Sequence, residues 1–352
     1  MSNKNNIKTI IEKIKTVVNI KQELYTQLIE FLEVLLELNE KYNLQDQLEN
    51  NNNINNINSK HIFAPYLYTG SENIINLKDV YNKTSCKNYF ISFLNDNNGI
   101  PSWSNNIPYY NNHLKEEIQF IQEHGGNIII STGGAGGKEL IKSYSPDECF
   151  KYITYFIDNY NIKWFDFDIE GSDISNNEHI NKRIQLIKKL KLKYPDIFIS
   201  FTLPVSPDGF HNEALNLIKR TLYNTTIDCI NLMTMDFGIY YAPNGSTEMA
   251  KYCIQCIESV HEQLHDLTDK NIKIGCTPMI GVNDLTDEIF NLSNANELIN
   301  YCINSDKVYL LSFWCINRDN GNNINQSYAD SKYSGIKQNL YEFTTIFNKF
   351  NN

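Results

Sequence analysis

The sequence predicts an α/β protein, a closed (β/α)₈ TIM barrel preceded by an N-terminal helical extension. From residue 61 onward, eight short apolar segments alternate with amphipathic segments of helical periodicity. Strands that are apolar on both faces are typical of parallel sheets covered by helices. Eight such units in about 290 residues agree with the size of a closed barrel. An open doubly wound sheet is the alternative, although no glycine-rich phosphate loop follows the first strand.

The order of the elements follows from the apolar runs and from the charged positions between them. The predicted strands are residues 62–67, 88–93, 127–131, 164–169, 197–203, 228–235, 272–277 and 308–314. The predicted helices are residues 114–123, 147–160, 177–192, 213–221, 249–267 and 295–304. Active sites of such barrels lie where the carboxyl ends of the strands meet, so we expect functional side chains there.

Two segments precede the predicted catalytic barrel of residues 61–352. Residues 1–43 form a predicted helical segment, because apolar side chains recur at helical spacing between residues 6 and 42. This face favours either self-association as a coiled coil or packing against the protein's own domain, and both interpretations stay open. Residues 44–60 are an Asn-rich, low-complexity linker with too few apolar side chains to form a core.

Composition excludes several classes of partner. Lys and Arg total 31 against 41 Asp and Glu, a net charge of −10, whereas nucleic acid and anionic membrane surfaces attract clustered positive charge. No apolar run approaches the roughly 20 residues of a membrane helix. The first residues intersperse lysine and glutamate among apolar positions, unlike a secretory signal. We therefore expect neither nucleic acid nor membrane as a partner, and a cytoplasmic location.

The sequence WFDFDIEG at residues 164–171 is the most informative segment. Alternate side chains of a strand share a face, so Asp166, Asp168 and Glu170 point one way and the apolar side chains point the other. A solvated edge strand is the alternative, but the strongly apolar opposite face argues against it. Like charges crowded in a barrel raise each other's pKa, so one carboxyl keeps its proton and supplies a general acid.

This acidic strand resembles the D-x-D-x-E catalytic strand of glycoside hydrolase family 18, the chitinases and endo-β-N-acetylglucosaminidases. Three further segments agree with the family in order along the chain: STGG at residues 131–134 with S-x-G-G, MTMD at 233–236 with M-x-Y-D, and SFW at 312–314 with the tryptophan-bearing strand. Weaker similarities to bacterial-type chitinases occur at residues 63–66, 204–207, 279–284 and 316–319. The resemblance therefore extends from about residue 61 to residue 320.

The resemblance implies a chitinase-like enzyme that cleaves β-1,4 bonds between N-acetylglucosamine units of chitin or chito-oligosaccharides with retention. The nucleophile is the acetamido oxygen of the substrate itself, so no metal or cofactor is expected. Glu170 corresponds to the acid/base, Asp168 to the carboxylate that stabilises the oxazolinium ring, and Asp166 to its proton-sharing neighbour. An endo-β-N-acetylglucosaminidase acting on glycoprotein glycans is the second choice, and endo or exo cleavage stays open.

The substrate-binding side chains implied by the same resemblance lie on several segments. Trp314 offers a flat apolar surface to a sugar ring, although a plain core tryptophan is the alternative. The other expected members are Met233, Met235, Asp236, Tyr66 and Trp103. We expect Trp103 in a loop after the second strand, where it either lines a sugar subsite or covers the core.

Two positions depart from the family pattern. Lys163 stands in place of the first aspartate of D-x-x-D-x-D-x-E, at the start of the strand, where we expect a limited effect. Met235 replaces a tyrosine whose hydroxyl helps to hold the acetamido carbonyl, and a thioether cannot donate that hydrogen bond. Tyr66, Tyr240 or Tyr241 are expected to supply the hydroxyl from a neighbouring segment.

Two other functions stay open at this point. The methionine motivates a catalytically impaired, lectin-like barrel that binds N-acetylglucosamine without cutting it. The Asp166–Asp168 pair is also compatible with a divalent cation in phosphoryl transfer, although no phosphate-binding loop accompanies it. The intact acidic strand favours hydrolysis over both.

Overall fold

A computed structural model describes residues 61–324 and 327–351 of the chain. The predicted helical segment 1–43 and the Asn-rich segment 44–60 lie outside the described residues. Self-association through the first of them stays a prediction. Within the described ranges, no helix combines the length and the apolar character needed to cross a membrane.

Strands and helices alternate along the chain. In chain order the strands are β1 (Ile62–Phe63), β2 (Tyr66–Tyr68), β3 (Asn88–Ser92), β4 (Leu94–Asn97), β5 (Ile100–Trp103), β6 (Asn127–Gly133), β7 (Trp164–Asp168), β8 (Phe198–Pro204), β9 (Cys229–Met233), β10 (Lys273–Thr277), β11 (Gly281–Val282), β12 (Ile289–Phe290) and β13 (Val308–Leu311). The α-helices are α1 (Leu77–Thr84), α2 (Lys115–Glu123), α3 (Leu140–Ser143), α4 (Pro146–Tyr160), α5 (Asn177–Lys193), α6 (Asn212–Asn224), α7 (Met249–Leu267), α8 (Leu292–Asn304) and α9 (Glu342–Phe347).

The parallel strands close into a barrel through an interrupted first strand. The main sheet runs β1-β13-β10-β9-β8-β7-β6-β3-β2, so β1 pairs with the last strand and β2 pairs with β3. Only Ala64 and Pro65 separate β1 from β2, and the carbonyl of Pro65 accepts the N–H of Phe90. Proline has no N–H to donate to a ladder, which explains the break. The predicted closed barrel is confirmed, and the open sheet is wrong.

Several element bounds differ from the sequence prediction. The last strand ends at Leu311 rather than at residue 314, whereas α7 has the predicted bounds. The hairpin β4–β5 was not predicted, although its turn contains Asn98 and Gly99, both with positive φ (52° and 88°). Asn-Gly is a favoured pair for such turns, so the signal was present in the sequence.

The helices begin at residues that cap them. Ser145 and Glu148 form a capping box at α4, where Pro146 occupies the first turn, and Asn176 caps α5 through its side chain. A capping side chain satisfies N–H groups that would otherwise lack a partner. These caps fix where each helix starts after the preceding loop.

The barrel interior is apolar at one end and acidic at the other. At the amino ends of the strands, the ring of Trp164 lies 4.2 Å from that of Phe198 and 6.2 Å from that of Tyr309. Asp166 is the next inward-facing residue of β7, and it is fully buried. The outward-facing Phe165 and Phe167 pack in the larger core between the strands and the helices. This arrangement places the acidic groups at the carboxyl ends of the strands.

Candidate active site

A cavity of 670 Å³ opens at the carboxyl ends of the barrel strands. Its wall includes Asp168, Glu170 and Trp314, which the sequence singled out. The hairpin β4–β5 adds amide and hydroxyl side chains to the same cavity. Such concave sites, with few convergent polar groups, are the usual location of ligand binding.

Strand β7 presents its carboxyls inward, as the alternation predicts. Asp166 and Asp168 are 0% and 6% exposed, and Glu170 follows the strand with extended backbone angles (φ −126°, ψ 161°). The extended conformation of Glu170 continues the alternation by one more step. The three carboxyls therefore follow one another from the barrel interior to the cavity.

Asp166 lies in a cage of four hydroxyl groups. Its Oδ1 accepts from Ser200 Oγ at 2.6 Å, and its Oδ2 accepts from Ser131 Oγ at 2.7 Å. Thr202 Oγ1 lies 2.9 and 3.1 Å from the two oxygens, and Tyr66 Oη lies 3.3 Å from Oδ2. Burial raises the pKa of Asp166 to about 6, and the hydroxyl donors oppose that rise.

Asp168 is buried without such donors. Its Oδ1 has no hydrogen-bond partner among the described residues. Burial raises the pKa of Asp168 well above its usual value, and repulsion from Glu170 and Asp166 adds to the effect. A hydrogen bond links the side chains of Asp168 and Glu170, so one of these two carboxyls carries the proton that they share.

Glu170 is partly exposed to the cavity, and its protonated form is favoured. Burial raises its pKa, and the nearby carboxylates of Asp236 and Asp284 raise it further. The ammonium of Lys142 acts in the opposite direction, but it is also paired with Asp173. A carboxyl with a raised pKa is suited to general acid chemistry near neutral pH.

Trp314 forms part of an aromatic surface in the cavity wall. Its ring stacks on Phe93 with centroids 5.6 Å apart and an interplanar angle of 16°. The rings of Tyr68 and Tyr66 lie 5.2 and 5.8 Å from the Trp314 ring, and all four side chains line the cavity. Rings grouped in this way provide an apolar platform for the face of a sugar.

Three methionines occupy the part of the wall formed by β9 and β10 with their loops. Met233, Met235 and Met279 all line the cavity. Asp236 lies beside them with φ 52°, and its Oδ1 accepts the N–H of Leu285 at 2.8 Å. The thioethers offer polarizable apolar contact but no hydrogen-bond donor at this place.

The tyrosines expected to replace the missing hydroxyl lie elsewhere or are already engaged. Tyr240 is 84% exposed, and Tyr241 packs against the rings of Tyr240 and His211 outside the cavity wall. Tyr66 does line the cavity, but its hydroxyl bonds inward, to Asp166 and to Thr202 at 2.9 Å. The expectation is wrong for Tyr240 and Tyr241, because neither side chain lines the cavity.

Trp103 requires a second correction. It ends strand β5 rather than lying in a loop. It contributes to the cavity wall, yet it is only 3% exposed and packs edge-to-face on Phe156 at 5.6 Å. Trp103 therefore both lines the cavity and covers the core, the two roles that the sequence left open.

Sequence reasoning missed several members of the site. Tyr68 and Phe93 belong to the aromatic surface, and Thr202 and Asn231 belong to the hydrogen-bonded group around Asp166. A signal existed for the last two, because each is a polar residue inside an otherwise apolar strand. In residues 61–324 and 327–351, no group of three His, Cys, Asp or Glu side chains could hold a metal ion.

Comparisons with known proteins agree with the geometry of the site. No family model matches the chain. It is 29% identical over 310 residues to a probable bifunctional chitinase/lysozyme of Escherichia coli, an alignment of 83% of this chain and 34% of the relative. It is 29% identical over 276 residues to Endochitinase 11 of Metarhizium anisopliae, covering 74% of this chain and 53% of the relative.

Solved structures agree. The catalytic domain of a hyperthermophilic chitinase from Pyrococcus furiosus superposes with a TM-score of 0.72 and 28% identity, over 83% of this chain and 95% of that domain. The chain is thus similar to chitinases in both sequence and fold. The family 18 resemblance carried by the ordered motifs is therefore confirmed. The chain spans about a third and about half of the length of the two curated relatives.

Proposed function

We propose that the barrel is a retaining glycosidase that hydrolyses β-1,4-linked N-acetylglucosamine in chitin or chito-oligosaccharides. The observation that carries the proposal is the Asp168–Glu170 pair, which combines raised pKa values, a shared hydrogen bond and access to the cavity. A similar domain from Pyrococcus furiosus, 28% identical, was solved as catalytic site mutants complexed with chito-oligosaccharides. That likeness supports the choice of substrate.

In the first step, Glu170 acts as the general acid. Its proton passes to the glycosidic oxygen, and the bond from that oxygen to the anomeric carbon breaks. The acetamido carbonyl oxygen of the same sugar forms the new bond to the anomeric carbon, which gives an oxazolinium ring. No carboxylate of the protein needs to reach the anomeric carbon.

Asp168 stabilises the positive ring. Its Oδ1, which has no partner among the described residues, is suited to accept the acetamido N–H. As Asp168 takes up negative charge, its proton passes to Asp166, which the hydroxyl cage holds two residues earlier on the strand. Asp166 and Asp168 thus share one proton throughout, and the negative charge shifts from Asp166 to Asp168, beside the sugar.

In the second step, Glu170 acts as the general base. It takes a proton from a water molecule whose oxygen attacks the anomeric carbon, and the bond to the acetamido oxygen breaks. Two displacements at one carbon restore the β configuration. The aromatic surface of Trp314, Phe93 and Tyr68 contacts the sugar ring and supplies binding without charge.

One digestion series tests the proposal. The chain is incubated with colloidal chitin, with a fluorogenic chitotrioside and with a high-mannose glycoprotein, and the products are resolved by mass and by anomeric proton NMR. We expect chito-oligosaccharides released initially as the β anomer. Release of an N-glycan only would identify an endo-β-N-acetylglucosaminidase, and binding without product would identify a lectin-like barrel. Loss of turnover with a chelator would contradict the mechanism.

A further inference from the structure

We infer that Trp164 and Asn231 are positioning residues that fix the direction of the hydroxyl protons around Asp166. The inference rests on the proposed function, in which Asp166 receives the proton of Asp168. It concerns two side chains that line no part of the cavity. They act on the reaction only through the hydroxyl cage.

The direction of a hydroxyl proton is not fixed by the hydroxyl itself. A serine, threonine or tyrosine oxygen both donates and accepts, so it turns its proton towards whichever neighbour accepts it. A donor-only group behind the hydroxyl removes that freedom, because the oxygen must accept on that side. Its proton is then left for the partner on the other side.

Trp164 provides such a donor for Ser200. The indole Nε1, which can only donate, lies 2.9 Å from Ser200 Oγ. The Ser200 hydroxyl therefore gives its proton to Asp166 Oδ1 at 2.6 Å. Trp164 and Asp166 are inward neighbours on β7, and the β7–β8 register pairs Asp166 with Ser200 on β8. The strand that carries the carboxyl thus carries its orienting group.

Asn231 provides the second donor from β9. Its Nδ2 lies 3.1 Å from Thr202 Oγ1 and 3.3 Å from Tyr66 Oη. Its Oδ1 accepts from Thr277 Oγ1 at 2.8 Å, so the amide is oriented with its nitrogen towards the cage. The Thr202 proton is consequently available for Asp166.

The neighbouring strand leaves room for Asn231. Gly275 is its partner in the β9–β10 register, and a Cβ atom at position 275 would lie 2.6 Å from Asn231 Oδ1. That distance is far below ordinary contact, so a side chain at position 275 would displace the amide. The packing therefore selects the conformation that the hydrogen bonds require.

The titratable groups facing Asp166 are Tyr66 from β2, Cys229 from β9 and Asp168 on β7. Burial raises the pKa of the Tyr66 hydroxyl and of the Cys229 thiol well above their usual values, so both stay neutral. Burial raises the pKa of Asp168, which favours its protonated form. Loss of oriented donors therefore acts on Asp166 itself, whose pKa rises because its charged form loses hydrogen bonds.

Two variants on different strands test the inference. Trp164→Phe keeps an aromatic ring but removes the N–H, and Asn231→Leu keeps the approximate volume but removes the amide. The Asp166 carboxyl is followed by ¹³C NMR against pH in protein labelled with ¹³C-aspartate, with the signal assigned from Asp166→Asn. In both variants we expect the midpoint to rise by about one pH unit. The acidic limb of the kcat profile on the chitotrioside should move with it, and KM should stay unchanged.

Asn88→Leu is the matched control. Asn88 is also a buried, hydrogen-bonded amide on a barrel strand, but it bonds to Phe63 and Asn127 at the other end of the barrel. It should change stability and leave the Asp166 midpoint in place. Unchanged midpoints in both test variants, or an equal shift in Asn88→Leu, would overturn the inference.

If Asn231→Leu does not fold, the midpoint measured for Trp164→Phe decides. If the wild type shows no turnover, the proposed function fails while the NMR titration still decides the role of the two residues.

Discussion

The closed interior around Asp166 and the cavity wall around Asp168 hold two carboxyls of one strand in opposite ways. Asp166 is bonded by four hydroxyl groups, whereas one oxygen of Asp168 has no donor among the described residues. Burial raises both pKa values, but only Asp166 has donors that offset the rise, to about 6. Asp166 and Asp168 are only two residues apart, yet hydroxyl donors stabilise the negative charge of Asp166, whereas Asp168 faces the substrate cavity.

The largest effect is expected at Glu170, which follows Asp168 along the chain and faces the cavity. Glu170→Gln keeps the shape but removes the transferable proton, so turnover of the chitotrioside should fall at least about 100-fold. Oligosaccharide binding by calorimetry and the thermal unfolding midpoint should stay close to those of the wild type. Glu116→Gln, at a 90% exposed side chain of α2, is the control. Retained turnover in Glu170→Gln would contradict its role.

Asp168→Asn tests the carboxyl that lacks a donor. The amide cannot carry the negative charge that stabilises the oxazolinium ring, so we expect kcat to fall about 100-fold with a smaller change in KM. Steady-state kinetics on the chitotrioside measures both. Asp147→Asn, at an exposed aspartate of α4 paired with Lys189, should behave as the wild type. An unchanged kcat in Asp168→Asn would show that this carboxylate is dispensable.

The raised pKa of Asp166 should make the free energy of unfolding depend on pH. Its folded pKa of about 6 exceeds the unfolded value of 3.8, so its contribution is fully present below pH 3.8 and is lost as pH rises through 6. Between pH 4 and 7 this loss amounts to about 2 kcal/mol of unfolding free energy. Urea unfolding of the wild type and Asp166→Asn at several pH values measures the difference. Equal pH slopes for the two proteins would contradict the assignment.

Trp314 tests the apolar side of the cavity. Trp314→Ala removes the surface that stacks on Phe93, and we expect KM for the chitotrioside to rise about tenfold. Trp314→Phe, which keeps a smaller ring, should lie between the alanine variant and the wild type. An effect on kcat alone, without one on KM, would place Trp314 outside the sugar-binding surface.

The smallest effect is expected at Met235. Met235→Tyr introduces a hydroxyl where three methionines otherwise line the wall, and one added hydrogen bond to the acetamido carbonyl should raise kcat/KM about fivefold. Met235→Leu is the control for side-chain shape without a donor. If the tyrosine and leucine variants behave alike, the missing hydroxyl does not limit the reaction.

Much of the fold and part of the site could be predicted from local patterns. The inward acids of β7, the bounds of α7 and the order of the family motifs all depend on residues close together in sequence. The hairpin β4–β5 was missing from the sequence prediction because its strands are short and polar, although Asn98 and Gly99 indicated the turn. Tyr240 and Tyr241 were misplaced because a loop's direction depends on what packs against it.

The sequence by itself determined that strands and helices alternate and that Asp166, Asp168 and Glu170 share one face, because side-chain alternation is a property of each strand alone. Only the tertiary structure decided which side chains surround them. Tyr66 and Asp166 are 100 residues apart along the chain, and they meet because the first strand closes the barrel. Strand order and register act across the whole ring, so no local pattern could reveal that Trp164 and Asn231 stand behind the hydroxyl cage.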